Sequence, residues 1–341
     1  MLSVVNVAYP FTPVDEDPIG GAEQIVAALD RALVSRGDRS TIVGHADSRP
    51  RGRLIPVWQD GGPIDAAAKS RARAAQRAAI DACVHEGRAD VVHMHGVDYL
   101  DYPDDGTPVM VTFHLRLGSY SRQALAGGSR RSIIRVCVSD TQRREAPDLD
   151  IQVIENGVPL ERFQPGRTKR DFVLMLGRVC VEKGFDSGLR AARRAGIAVR
   201  ISGAVFPYPE RQDYFRETIA PLLAEREFLG PMTGRPKRAL LAQARCLLIP
   251  SRVAETSSLV AMEALASGTP VIAFRRGALP EIVEEGYTGF IVDTEEEMAG
   301  AIAAVSALRP DDCRDAAESR FSAAAMTRAY VELYEQAAAR A

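Results

Sequence analysis

The sequence contains few cysteines and lacks the patterns that would give them a structural role. Its five cysteines, in a chain of 341 residues, form no C-x-x-C pair, and their number is odd. We therefore expect buried free thiols in a reducing cytoplasm, and no disulfide framework or zinc site. Long apolar runs are also missing: none approaches the ~20 residues that span a bilayer. The N-terminus carries no basic region or cleavage site of a secretory signal.

An excess of positive charge is absent too, because the formal net charge is −2 at pH 7. This value argues against a global attraction to nucleic acid. Hydrophobic residues make up 46% and charged residues 26% of the chain, which fits a globular protein rather than a disordered one. At roughly 150 residues per domain, the length predicts about two domains.

Short apolar runs alternate with helical patterns along the whole chain. Continuous runs such as Val91–Met94 and Val109–Phe113 are typical of parallel strands covered on both faces. A helix is predicted over Gly21–Arg36, with Gly37 as its stop. The other predicted strands are residues 4–9, 41–43, 54–58, 133–138, 151–154, 172–176, 198–201, 227–229, 246–250, 270–274 and 289–292.

A polar segment with two prolines, residues 159–171, interrupts this alternation and predicts a domain boundary. We expect a Rossmann-like domain over 1–165 and a second over 166–322, facing a cleft between them. A terminal helix, within 323–341, is predicted to pack back on the first domain. In such doubly wound α/β sheets, ligands bind beyond the carboxyl ends of the strands.

Glycines and cations follow two of the predicted strands. Gly20 and Gly21 open the first helix, where free amides and the helix dipole favour an anion. Arg178 ends a strand and Lys183 follows it, and two cations at one strand end suit a diphosphate. A plain glycine turn and a solvated surface pair remain the simpler readings of these two motifs taken alone.

Two glutamates flank the start of another predicted helix, in the second half of the chain. Glu263 lies in the run SLVAMEALASG among apolar residues, where an acidic side chain needs a partner such as a ribose hydroxyl. Glu255 precedes that helix, where its carboxylate could accept from sugar hydroxyls. Helix capping is the alternative explanation for carboxylates at this place.

These motifs occur in an order that resembles the retaining glycosyltransferases of family 4, which have the GT-B fold. The resemblance rests on Glu255-x7-Glu263, then ALASGTPVIA, GALPEIV and GYTGFIVD. GGAE at 20–23, IENGV at 154–158, and GR with KG at 177–184 resemble that family's other landmarks. Together the motifs extend over almost the whole chain.

The resemblance implies a role for each matched residue. Glu255 would contact the donor sugar, Glu263 the ribose, and Arg178 with Lys183 the diphosphate. His114 occupies the place of a family histidine near the sugar and the reaction centre, which makes His114, Glu255, Arg178 and Lys183 the candidate catalytic residues. The donor-binding residues would further include Gly20, Gly21, Met232, Thr256, Ser257, Ser258, Leu259 and Glu263. The family usually has Gly-Phe-Gly where this chain has Thr-Ser-Ser, and these hydroxyls could change the sugar preference.

A metal site is not predicted. His93 and His95 share one face of a strand, but no third ligand has a recognisable spacing. Two D-x-D pairs, at 15–17 and 148–150, match common acidic loops. The basic helical segment 65–87 lacks the large apolar residues that would insert into a membrane, so a solvated face is expected.

We therefore predict a cytoplasmic, metal-independent hexosyltransferase without a cofactor, whose partners are a sugar nucleotide and an acceptor. It would retain anomeric configuration and use a nucleoside-diphosphate sugar, with UDP favoured over GDP and ADP. It would transfer the sugar to an acceptor hydroxyl in the biosynthesis of an antibiotic oligosaccharide or of another glycoside. Two alternatives remain: a nucleotide-sugar epimerase of related fold, and a non-catalytic sugar-nucleotide-binding protein.

Overall fold

The computed structural model describes residues 1–59, 64–87, 89–96, 106–127, 133–166, 168–206, 208–224 and 227–340. The chain forms two compact units. The N-terminal unit comprises Met1–Asn156 together with Ala323–Ala341, and the C-terminal unit comprises Gly157–Ser322. The sequence pattern placed this boundary later, at residue 165.

Hydrogen bonds explain why residues 157–165 belong to the C-terminal unit. The amide of Val158 donates to the carbonyl of Phe321 at 2.8 Å. The guanidinium of Arg314 donates to the carbonyls of Leu160 and Phe163, at 3.2 and 2.7 Å. These partners lie about 150 positions further along the chain. A change of local periodicity therefore could not reveal them.

In the N-terminal unit, seven strands among the described residues form a parallel sheet in the order β3-β2-β1-β4-β5-β6-β7. The strands are β1 Ser3–Val7, β2 Arg39–His45, β3 Arg53–Trp58, β4 Val91–Met94, β5 Val109–Phe113, β6 Ile133–Cys137 and β7 Gln152–Val153. The helices are α1 Gly21–Arg36, α2 Ala66–His85, α3 Arg122–Ala126, α4 Asp140–Arg143 and α12 Ala323–Ala338.

The continuous apolar runs are the central strands of this sheet. Every residue of β4 and of β5 is buried, as expected for strands covered on both faces. Helix α1 ends at Gly37, whose φ of 84° is in the left-handed region that glycine adopts readily. The predicted and observed bounds of α1 are the same.

In the C-terminal unit, five strands among the described residues form a second parallel sheet, in the order β12-β11-β10-β8-β9. The strands are β8 Phe172–Leu176, β9 Ala198–Ser202, β10 Cys246–Ile249, β11 Val271–Phe274 and β12 Gly289–Val292. The helices are α5 Phe185–Arg194, α6 Pro209–Tyr214, α7 Gly234–Gln243, α8 Leu259–Ala266, α9 Leu279–Ile282, α10 Glu295–Ala304 and α11 Pro310–Arg320.

One predicted strand of the C-terminal unit is wrong. Residues 227–229 form a single parallel bridge, between Ile201 and Phe228, in place of a strand. The amide of Leu229 donates to the carbonyl of Ile201 at 2.8 Å. Gly230, with a φ of 69°, then interrupts the extended conformation of the chain, so the ladder does not continue.

All five cysteines are free and buried, which confirms the expected thiol state. They are Cys83, Cys137, Cys180, Cys246 and Cys313. Across the described ranges, no helix combines the length and apolar character needed to cross a membrane.

Candidate active site

The loop after β8 carries the two predicted diphosphate cations. Gly177 follows the strand with a φ of 138°, a conformation that side chains rarely adopt, and Arg178 beside it is exposed. The turn Val181–Lys183 then leads to Gly184, whose φ is 63°. A Cβ at position 184 would lie 2.1 Å from the carbonyl oxygen of Pro250. Only glycine therefore lets this loop approach the end of β10 so closely.

This close approach brings Lys183 to Glu255. Lys183 Nζ donates to Glu255 Oε1 at 2.6 Å, and the hydroxyl of Ser251 donates to the same oxygen at 2.5 Å. The side chains of Lys183 and Glu255 are 28% and 12% exposed. Since β8 and β10 are parallel neighbours, their carboxyl ends meet at one edge of the sheet. The structure thus brings together two residues that the sequence analysis assigned to adjacent parts of one donor.

The backbone around Glu255 is held by the loop after β11. Gly277, with a φ of 59°, pairs with Glu255 in an isolated parallel bridge, and the amide of Ala278 donates to the carbonyl of Glu255 at 2.8 Å. A Cβ on Gly277 would lie 2.1 Å from that carbonyl oxygen. The motif GALPEIV therefore fixes the position from which the Glu255 carboxylate projects.

The residues between the two glutamates form the start of α8. Ser258 is the N-cap, and its hydroxyl accepts from the amide of Ala261 at 3.4 Å. The helix begins at Leu259, and Thr256 is partly buried. The hydroxyl of Ser257 is buried and has no hydrogen-bond partner among the described residues. A buried hydroxyl of this kind has capacity to bind a ligand.

Glu263 lies on α8 and is only 2% exposed. Lys237, on α7, donates from Nζ to Glu263 Oε1 at 2.6 Å. The other carboxylate oxygen, Oε2, is buried and has no hydrogen-bond partner among the described residues. One carboxylate oxygen, Oε1, therefore accepts a hydrogen bond from a lysine, and the other, Oε2, can still accept hydrogen bonds from a ligand.

The resemblance also implies that backbone groups of residues 229–232 hold the base of the nucleotide, and this stretch lies in the loop before α7. The carbonyl of Gly230 accepts from the amide of Gly203 at 3.0 Å and from the hydroxyl of Ser202 at 2.9 Å. Met232 is partly buried and packs against the apolar core around β10 and α8. The loop is thus attached to the end of β9.

Gly20 and Gly21 lie in the N-terminal unit, at the start of α1. Gly20 is the N-cap and supplies no side-chain hydrogen bond to the helix amides. A Cβ on Gly20 would lie 1.8 Å from Glu23 Oε2, and Glu23 is 7% exposed. Glycine at this position leaves room for the Glu23 side chain as it lies here, and this contact is a structural explanation of the motif.

His114 follows β5 in the N-terminal unit and belongs to a row of three histidines. Its Nε2 lies 3.0 Å from His95 Nδ1, and His95 Nε2 lies 3.4 Å from Asn6 Oδ1. The rings of His95 and His114 stack, with centroids 5.3 Å apart. Burial lowers the pKa of His114 to about 4. At neutral pH the imidazole is uncharged and acts as a hydrogen-bonding group.

His93 is engaged by the C-terminal helix of the chain. Its Nδ1 lies 2.6 Å from the Tyr334 hydroxyl, and its Nε2 lies 2.8 Å from Thr112 Oγ1, which in turn contacts the Tyr330 hydroxyl at 3.1 Å. Both tyrosines are on α12. Burial lowers the pKa values of His93 and His95 well below the usual range.

These bonds leave His93 no ring nitrogen for a metal. Across the part of the chain that is described, no group of three or more His, Cys, Asp or Glu side chains could hold a metal ion. In the first D-x-D pair, Asp15 Oδ1 accepts from the amide of Asp17 at 2.9 Å, which is a local turn contact. Metal independence of the reaction stays a prediction.

Sequence reasoning missed Lys237, Asn6 and the two tyrosines of α12. Lys237 lies in a basic stretch, RPKR, where nothing in the sequence distinguishes it from the neighbouring cations. Its partner is 26 positions away. A buried carboxylate predicted on α8 was the available signal, because such a group requires a counter-charge from somewhere in the fold.

Two parallel α/β sheets, with cations and carboxylates at the strand ends of the C-terminal unit, fit the GT-B class of glycosyltransferases. Comparison with family models agrees: the model for glycosyl transferases group 1 matches residues 158–320, and the model for glycosyltransferase family 4 matches residues 19–162. Together they match nearly the whole chain. The protein belongs to the family 4 glycosyltransferases of the GT-B fold.

Three known proteins illustrate a similarity that extends over most of both chains. A phosphatidyl-myo-inositol mannosyltransferase of Mycolicibacterium smegmatis is 26% identical over 89% of this chain and 84% of its own. Among solved structures, AviGT4, a glycosyltransferase involved in avilamycin A biosynthesis, has a TM-score of 0.71 and 24% identity, covering 100% of this chain and 99% of its own. Anabaena Alr3699/HepE in complex with UDP-glucose has a TM-score of 0.78 and 18% identity, covering 98% and 100%.

Proposed function

We propose that this glycosyltransferase moves a sugar from UDP-sugar to an acceptor hydroxyl with retention of configuration. The observation that carries the proposal is the donor-type site of the C-terminal unit. Lys183 and Glu255 are paired at 2.6 Å, and the buried Glu263 has one carboxylate oxygen without a partner among the described residues. A sugar nucleotide presents the matching groups, namely a diphosphate, sugar hydroxyls and ribose hydroxyls.

Each part of the donor has a proposed partner. The ribose hydroxyls donate to Glu263 Oε2, which a buried environment leaves in need of donors. Arg178 and Lys183 bind the diphosphate, because cations stabilise the charge that collects on a departing phosphate. Glu255 accepts from a hydroxyl of the transferring sugar. The hydroxyls of Thr256 and Ser257 replace the family's usual glycine and phenylalanine, and we propose that they influence which sugar is accepted.

The reaction exchanges one bond at the anomeric carbon for another. The bond from that carbon to the phosphate oxygen breaks, and its electron pair leaves with the nucleoside diphosphate. The acceptor oxygen forms the new bond on the same face of the sugar, and its proton passes to the departing phosphate. The Lys183 ammonium and the Arg178 guanidinium stabilise the negative charge that develops. We propose that these cations make a divalent metal unnecessary.

We propose that His114 contacts the donor sugar through a neutral imidazole. Its lowered pKa of about 4 keeps it uncharged throughout the physiological range. A neutral ring can exchange a hydrogen bond with a sugar hydroxyl without adding charge next to a centre that becomes positive in the transition state. The hydrogen bond between His114 and His95, and that between His95 and Asn6, hold the His114 imidazole in place.

The choice of UDP is supported by the Anabaena structural neighbour, which is described in complex with UDP-glucose. For the acceptor, the names of the relatives refer to phosphatidyl-myo-inositol and to avilamycin A. We propose a polyhydroxylated ring as the acceptor, in antibiotic oligosaccharide or other glycoside biosynthesis. The five buried free thiols support a cytoplasmic location.

A nucleotide panel followed by a turnover assay tests this function. UDP, GDP and ADP are compared by thermal shift, and a nucleotide at 100 times its Kd should stabilise the native state by about 2.7 kcal/mol. The matching sugar nucleotides are then incubated with the enzyme, with and without an inositol or oligosaccharide acceptor. Isomerised donor without acceptor would instead indicate an epimerase. Tight donor binding without turnover against a broad acceptor panel would indicate a binding protein.

A further inference from the structure

We propose that Lys237 is a positioning residue that sets the preference of the site for a ribose over a deoxyribose nucleotide. It acts through Glu263, so the inference rests on the proposed nucleotide-sugar function. Lys237 has no match among the family motifs quoted above, and it lies outside the pair formed by Lys183 and Glu255.

The geometry around Glu263 is asymmetric. Lys237 Nζ is 2.6 Å from Oε1, and the two side chains are 17% and 3% exposed. Oε2 of the same carboxylate is buried without a hydrogen-bond partner among the described residues. A carboxylate with one oxygen fixed by a lysine can turn little, so the direction of the second oxygen is fixed as well.

The charge of Lys237 determines what this second oxygen can bind. A buried carboxylate is costly unless an opposite charge accompanies it. With Lys237 in place, Glu263 remains an anion that only accepts hydrogen bonds. Its Oε2 then favours a ligand with hydroxyl donors, and the 2′ and 3′ hydroxyls of a ribose are such donors. A nucleotide that lacks the bonded hydroxyl leaves Oε2 desolvated and unsatisfied.

Lys237 also differs from Lys169, another partly buried lysine of the same unit. Lys169 donates to the carbonyls of Ala242 and Ser267, at 2.9 and 3.2 Å, and to Thr269 Oγ1 at 2.6 Å. Burial lowers its pKa to about 8. Ser267 caps the far end of α8, so Lys169 supports the same helix without touching a carboxylate. Lys169→Met is therefore a matched control for general loosening of α8.

The experiment measures binding of UDP, 2′-deoxy-UDP and 3′-deoxy-UDP to the 341-residue chain by calorimetry. In the wild type, we expect UDP to bind roughly 10- to 100-fold more tightly than the analogue that lacks the bonded hydroxyl, the range of a hydrogen bond to a charged group. Lys237→Met should reduce this ratio by at least about fivefold, because the carboxylate is no longer held as a fixed anion. Lys237→Arg, which keeps the charge, should retain most of the ratio.

The ratio of two affinities does not depend on the fraction of protein that is folded, so a loss of stability alone leaves it unchanged. An unchanged ratio in Lys237→Met would overturn the proposal. So would an equal fall in Lys169→Met, since the effect would then be a general property of α8. If the wild type binds UDP and both analogues equally, Glu263 does not bond a ribose hydroxyl. This inference then fails, although the protein still binds a nucleotide. If it binds none of UDP, GDP and ADP, the proposed function itself fails.

Discussion

Replacing Lys183 by alanine removes the ammonium group that donates to Glu255 at 2.6 Å. We expect turnover with saturating donor to fall by roughly 10²–10³, the usual effect of losing one preorganised group that stabilises developing charge. Arg178→Ala should give a loss of similar order, because it is the second cation of the same loop.

The structure predicts a further effect of Lys183→Ala on binding. The Glu255 carboxylate, with a side chain 12% exposed, would remain without its counter-charge. Two like charges about 4 Å apart repel by up to about 4 kcal/mol at an effective dielectric constant of ~20. A nucleoside diphosphate should therefore bind more weakly to Lys183→Ala. Adding Glu255→Gln should restore part of that affinity, because the neutral amide does not repel the phosphates.

Single-turnover kinetics and calorimetry with UDP separate the two effects. Arg216→Ala is the matched control: it also removes a cation paired with carboxylates, those of Asp213 at 2.7 Å and Glu217 at 3.1 Å, but its side chain is 68% exposed. Exposed pairs contribute about 0–1 kcal/mol, so this variant should keep normal kinetics. Near-normal turnover of Lys183→Ala under saturating donor would refute the diphosphate assignment.

Three other predictions follow from the site. Activity should survive EDTA; complete loss in chelator, restored by Mg²⁺ or Mn²⁺, would contradict the role given to the cations. Glu263→Gln should weaken binding of UDP more than it lowers kcat. Glu255→Gln should lower kcat and leave UDP affinity nearly intact, because UDP lacks the sugar that is transferred. Equal weakening of UDP and UDP-sugar binding by Glu255→Gln would disprove this division of roles. Burial holds the pKa of His114 at about 4, below its ordinary value of 6.5. The unfolded chain therefore binds a proton that the native state resists, and stability should fall between pH 6.5 and 4 by up to about 1.4 kcal/mol per pH unit for this residue. Urea unfolding at pH 7 and 5 measures the slope, and an equal slope in His114→Gln would contradict its source.

The strands of both sheets could be predicted because burial on two faces leaves a direct trace in the sequence. Val91–Met94, Val109–Phe113 and Gly289–Val292 have the same bounds in the sequence pattern and in the structure. The boundary between the units could not be placed as well, because long-range bonds from Arg314 and Phe321 determine it. The single bridge at Phe228 was wrongly predicted as a strand, because its position also depends on long-range contacts. A short run of residues does not show whether the neighbouring strand will continue the ladder of hydrogen bonds.

The candidate site shows which kind of information a single sequence carries. Glu263 could be singled out because a charged residue in an apolar helix contradicts the local pattern, and such a contradiction indicates a partner. The partner itself, Lys237, follows no pattern, since it is one cation in a basic stretch and becomes distinct only when α7 packs beside α8. The same holds for Tyr330 and Tyr334, which look like ordinary apolar positions of a terminal helix and yet bond to Thr112 and His93. Local sequence thus identifies the groups that need a partner, and the fold supplies that partner from more than 20 and up to 241 positions away.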